Sequence, residues 1–231
     1  MPLQIKIYNF IFAEKAGVVA FLAFCCLPLS SQTLITKNFE FADGIYFTLQ
    51  DLQKNTPSHT WEDLKTNLAA NPQTYIAQVE YLIVKETQDT LQTDSVYALS
   101  LGGIPFVRLP KGAVNKKLTA YAGLRVRGRW CYYSYEDTGI KKVPISAYNP
   151  LNGKPFRTAV VEREETTEYH KLLSFETGET MDFTGRNFLK IIKDDKNLTE
   201  AVMDIRGENA GQKLFKSLLI YDDRHPIYIV E

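Results

Sequence analysis

Apolar and polar residues alternate through much of the first three quarters of the chain, and a four-residue spacing replaces the alternation near the carboxyl end. Period-two stretches rich in β-branched and aromatic residues predict strands at 45–48 (IYFT), 75–84 (YIAQVEYLIV), 95–101 (SVYALSL), 105–109 (PFVRL) and 118–126 (LTAYAGLRV). Asn152-Gly153 suits a tight hairpin, because both residues tolerate positive φ, and ETGE at 176–179 separates KLLSF from TMDF. One helix is expected among the strands. Thr60 and Asp63 are spaced as a capping box, Trp61, Leu64 and Leu68 share a face, and Asn71-Pro72 stops it.

Beyond Thr184 the spacing is helical. Leu198, Ala201, Val202 and Ile205 form an i, i+3, i+4, i+7 stripe, with Asn197 as cap and Gly207 as stop. FLKII before it and Leu214, Phe215, Leu218 and Leu219 after it predict two more helices; the chain then turns at DDRHP and ends in a strand, IYIV. Strands followed by a helical group predict an α+β fold, a largely antiparallel sheet region with a carboxyl-terminal group of short helices packing on it. The expected organisation is one domain over 33–231, mainly strands to 183, mainly helices over 184–225 and a terminal strand over 226–231.

The amino terminus changes what counts as the folded chain. Lys6 and Lys15 precede the apolar run GVVAFLAFCCLPLS, and SSQT follows it, which predicts a cleaved signal peptide over 1–32 and a periplasmic or secreted protein. The run is short for a membrane span, so no transmembrane segment is expected in the mature chain. Lipid anchoring through Cys25 or Cys26 is the weaker expectation, because Phe24 occupies the place where a lipoprotein signal has a small residue. Without Lys6, Lys15 and Glu14 the mature chain keeps 25 basic and 26 acidic residues. That near neutrality argues against a nucleic-acid partner. Only Cys131 remains, so no internal disulfide can form, and a 45% hydrophobic composition must hold the fold by its core.

The segment RVRGRWCYYSYE (125–136) carries the densest chemistry. In a strand, Arg125, Arg127, Arg129, Cys131, Tyr133 and Tyr135 would share one face, with Val126, Gly128, Trp130, Tyr132 and Ser134 on the core side. Three guanidinium groups could clamp an anion while Tyr133 and Tyr135 stack on a sugar. A purely structural role serves equally: TAVVEREETTEYH (158–170) is a candidate partner strand, with Glu162, Glu164 and Glu168 opposite the arginines. Gly128 is a candidate bulge that would shift the parity. The best catalytic combination the residue types offer is a Cys131 nucleophile with His170 as base. His59, His170 and His225 stand in no close-spaced metal pair, and no P-loop, GxGxxG or GxSxG motif occurs. Neither metal nor cofactor is therefore expected.

The stretches DGIYFTLQDLQKNTPS (43–58) and LLSFETGETMDFTGRNFLKIIKDDKNL (172–198), with the YDDRHP tail, resemble exported proteins of Bacteroidota. The resemblance implies an envelope-associated setting and transfers no catalytic residue. The leading expectation is a non-enzymatic envelope module, binding a protein or glycan through a sheet face or the 101–110 loop. The alternatives are a small hydrolase using Cys131 and His170, and a carrier holding an apolar ligand inside a curled sheet.

Overall fold

The structure, a computed structural model, describes residues 32–230 apart from Lys37 and Asn149. Residues 33–229 form one compact unit, and the expected signal segment lies, but for Gln32, outside the described residues. A short strand β1 (Gln32–Leu34) precedes β2 (Gly44–Tyr46), helix α1 (Leu49–Gln53), β3 (Leu64–Asn71), β4 (Ile76–Val84), β5 (Thr90–Leu91), β6 (Ala98–Leu101), β7 (Ile104–Arg108) and β8 (Thr119–Gly123). Strands β2-β6-β7-β8-β4-β3 pair antiparallel in that order, with β5 joining β4, and the sheet curls into a half-barrel. Its curl has a visible source. In β4 the partners jump from Tyr81, opposite Asn67, to Val79, opposite Leu68, so Glu80 is an extra, bulged residue. A bulge bends and twists a strand. It also explains why Ala77 and Val79 share a buried face with Leu82 and Val84, across a change of parity.

Two long strands follow, β9 (Trp130–Tyr148) and β10 (Pro155–Ser174), with β11 (Thr180–Asp182) on the far side of β10 at Lys171 to Leu173. Helices α2 (Gly185–Ile191), α3 (Lys196–Met203) and α4 (Ala210–Arg224) come next, and β12 (Tyr228–Val230) pairs with β1. Alternation then sets the layers. Ile45, Val79, Leu99, Phe106 and Tyr121 pack together on one face of the sheet. Tyr46, Ile76, Ala98, Val107 and Ala122, one residue out of phase, pack instead against Cys131, Tyr133, Tyr135 and Leu173 of the root of β9 and β10. The opposite face of that root, Tyr132 and Leu172, meets Phe188, Leu198, Val202, Leu218 and Tyr221 of the helices.

Strand makes up 43% of the structure and helix 20%, so the α+β expectation is overturned: the protein is mainly β. One reason is the expected helix at 60–71. Thr60 does bond Asp63, N to Oδ2 at 3.0 Å and Oγ1 to Oδ2 at 2.7 Å, yet these bonds close a single turn and the chain continues as β3. A spacing of four places Leu64 and Leu68 on one face of a strand as well as of a helix, and pairing along β4 decides between them. The other reason is β9, which continues to Tyr148, far beyond the candidate strand at 125–136. At shorter range the local rules hold. Thr48 and Asp51 make a reciprocal capping box on α1. The cap of α3 is Asp195, accepting from Leu198 N at 3.0 Å, and not Asn197.

Candidate functional site

The three arginines do not share a strand face, because β9 begins only at Trp130. Each guanidinium instead joins separate pieces of chain. Arg125 donates from Nη2 to the Thr74 carbonyl at 3.2 Å and lies over the Tyr75 ring. Arg127 donates from Nη1 to the carbonyls of Phe39 at 2.6 Å and Gly103 at 3.2 Å. Arg129 pairs with Glu176 at 3.1 Å. Strand 158–170 does pair with β9, within β10, but its register sets Glu162 opposite Lys142, Glu164 opposite Ile140 and Glu168 opposite Glu136, not opposite the arginines. Tyr133 and Tyr135 are buried in the core rather than offered to a sugar, and burial pushes the Tyr133 hydroxyl up to about 12. No single core side exists, since the sheet above and the helices below enclose both faces of the root.

Gly128 is not a strand bulge. The carboxylate of Asp222, near the end of α4, sits so close that a Cβ on Gly128 would stand 2.6 Å from its Cγ. Asp222 accepts from the Trp130 amide at 3.1 Å, and its Oδ2, buried in a residue that is otherwise only partly covered, finds no donor among the described residues. Burial raises this carboxyl to about 7.

Cys131 and His170 are not brought together. The thiol is 1% exposed, bonds the Gly128 carbonyl at 3.5 Å, and is pushed up to about 12 by burial. His170 lies on the opposite face, its Nδ1 2.7 Å from the Tyr132 hydroxyl and its ring stacked on that tyrosine. A thiol held protonated and enclosed is a poor nucleophile. Cys131 is therefore expected to resist alkylation by iodoacetamide at pH 7.5 in the native protein and to react fully in 6 M guanidinium, as read by intact mass. Rapid native labelling would contradict the packing described here.

The structure assembles two features, one that the sequence did not mark and one that it marked only in part. The first is an open cleft of about 560 Å3 between the β3–β4 turn and the root of the long hairpin, lined by Asn71, Gln78, Arg125, Tyr135, Glu136 and Glu168 among others. Two of the five expected ligand-binding residues, Arg125 and Tyr135, do line it. The second is the hairpin itself. From Glu136 to His170 no described residue is buried. At ~3.3 Å per residue the ladder from Glu136↔Glu168 to Tyr148↔Pro155 extends ~40 Å.

This arm is apolar toward its tip on both faces: Ile140 and Val160 are 63% exposed, and Ile145, Tyr148 and Val161 are exposed as well. Its charge is divided along its length. Lys141, Lys142, Lys154, Arg157 and Arg163 against Glu162 make residues 139–163 net +4, while Glu136, Asp137, Glu164, Glu165 and Glu168 make the base net −5. Two bridges cross the ribbon, Lys141–Glu165 at 2.8 Å and Lys142–Glu162 at 3.5 Å. The Asn152-Gly153 turn and the candidate strand 158–170 both fall within the arm, whereas its other limb, 137–148, carries no expected strand.

In comparisons with known proteins, no family model, curated relative or solved structure matches this chain. Among the described residues no cluster of three or more histidine, cysteine or acidic side chains is placed to hold a metal. No helix among them is long and apolar enough to cross a membrane.

Proposed function

We propose that the protein is an exported, non-enzymatic binding module of the cell envelope whose β9–β10 arm docks to a partner protein. The observation that carries this is the arm: a ribbon with exposed apolar side chains and, beyond its root, two backbone edges that no strand among the described residues pairs. A solitary two-stranded ribbon is marginally stable in water, and exposed apolar side chains beside unpaired amides favour a protein surface that satisfies both. A glycan would be better served by open aromatic faces, and Tyr133 and Tyr135 are buried. A carrier would need an enclosed apolar cavity, whereas the cleft beside the hairpin root is open and partly polar, and a hydrolase would need a nucleophile other than Cys131. The 101–110 loop is committed to structure: Asp43 accepts from the Gly102 and Gly103 amides at 3.1 and 3.0 Å and locks the β6–β7 turn.

Photo-cross-linking tests the reading in cells that make the full chain. A benzophenone side chain at Val160, on the arm, is expected to give discrete protein adducts, and the same group at Met203, exposed on α3, to give none. No adduct from Val160, Ile140 or Ile145 would overturn arm docking.

A further inference from the structure

The arm has two outer edges, and they are not alike. Along β9 the edge carries Pro144, which has no amide to donate, and the adjacent pair Lys141 and Lys142; proline and lysine are the residues that discourage edge pairing. Along β10 the edge runs from Arg157 to His170 with no proline and with β-branched residues at Thr158, Val160, Val161, Thr166 and Thr167. It stays open until β11 occupies it at Lys171. One edge is blunted and the other left open.

The direction of the open edge's backbone groups can be read from its root. The His170 carbonyl accepts from Phe183 N at 2.8 Å and Ser174 N donates to Glu179 O at 2.8 Å, both on the β11 side. Even-numbered residues of β10 therefore aim their amides and carbonyls outward, and odd-numbered ones aim them at β9.

Resting on the arm-docking reading, we propose that the partner on this edge is a second copy of the same chain, paired antiparallel β10 to β10 about a two-fold axis at Val161. Charge complementarity selects that register. Centred on Val161, it sets Arg157 opposite Glu165 of the other copy, twice by symmetry. The even residues become the hydrogen-bonded pairs, Val160 with Glu162 and Thr158 with Glu164, so the outward amides are used. Val161 then faces its own copy in a non-hydrogen-bonded pair, where side chains approach most closely. The fit also respects length. The bulge between Pro155 and Arg157 ends the regular edge, so the pairing runs from Arg157 to Glu165 of each copy and stops short of β11. The basic outer half of each arm lies along the acidic base of its partner. A parallel pairing would instead stack like on like. The resulting interface is isologous and closed, so it stops at a dimer.

Sedimentation equilibrium of the full chain tests this. Wild type is expected to be dimeric at micromolar concentration. Val160→Pro removes one outward amide without touching the β9 ladder and is expected to give a monomer with unchanged circular dichroism. Arg157→Glu should weaken the dimer at least tenfold, and adding Glu165→Arg to it should restore the dimer. In a Cys25→Ser/Cys26→Ser background, Val161→Cys should oxidise to a covalent dimer, whereas Val143→Cys, opposite it on β9, should not. A dimer that survives both Val160→Pro and Arg157→Glu would overturn the proposal. So would a monomer at every concentration: with a Val160 adduct of some other mass, self-pairing fails and arm docking stands, whereas with no adduct both fail.

Discussion

Replacing Asp222 by asparagine is expected to stabilise the protein at pH 8 by about 4 kcal/mol and to flatten its stability between pH 4 and pH 7. The carboxyl is raised from 3.8 to about 7, first by burial and then by the neighbouring Asp223, with the Trp130 amide working against both. A folded-state value above the unfolded one means that the native protein binds this proton more tightly. The stability it confers is therefore full below pH 4 and is lost as the pH rises toward 7, at about 1.4 kcal/mol per unit. Other carboxylates do not mask this. Hydrogen bonds to Thr60, Lys111 and Leu198 lower Asp63, Asp94 and Asp195, so the stability they add is already present above pH 4 and is lost only on further acidification. Asparagine keeps an oxygen to accept from Trp130 and carries no charge to bury. Urea midpoints at pH 5 and pH 8 are the measurement, with wild type expected to be weaker at pH 8 and the variant nearly level. A wild type that strengthens across that interval would show that Asp222 is solvated. The contact matters beyond stability. It is where α4 touches the loop that launches β9, so the charge of one carboxylate bears on how firmly the arm is rooted.

How much of this could be read in the sequence depends on whether neighbours or distant partners decide each element. Strands β2, β4, β6, β7 and β8, the cap of α1 and the Gly153 turn follow from local pattern, and the predicted positions fall within a few residues of those observed. Leu64 and Leu68 misled because their spacing serves both periods, and only the partner strand, β4, separates them. RVRGRWCYYSYE misled for another reason. A strand buried on both faces carries no alternation to show which side is the core, so the tyrosines looked available when they were enclosed. The separation of Cys131 from His170 was equally out of reach, since it depends on the β9–β10 register, which puts Ser134 beside His170 and Leu173 beside Cys131. The 137–148 limb of the arm escaped, although its turn and its 158–170 limb were marked, because its residues have no buried side, and a ribbon wet on both faces has no hydrophobic period.

Excising the outer arm, by joining Asp137 to Thr167 through Asn-Gly, is expected to leave the fold intact and abolish docking. The deleted residues 138–166 include no buried side chain among those described, so the excision leaves the core packing unchanged. The bond from Val114 N to the Asp137 carboxylate at 3.3 Å is retained, as are Tyr132, Tyr133, Tyr135 and Leu172, which tie the root to sheet and helices. The thermal midpoint should therefore move by no more than a few degrees, while cross-linking at the root and self-association are both lost. A collapse in the midpoint would make the arm a structural strut and remove the ground for a docking role. An unchanged midpoint carries the opposite weight. A ribbon of this length that contributes nothing to the core, while exposing apolar side chains and an open edge, is an aggregation hazard to the free chain. A partner that covers that edge removes the hazard, and in the register proposed about Val161 a second copy of the chain would do so from Arg157 to Glu165.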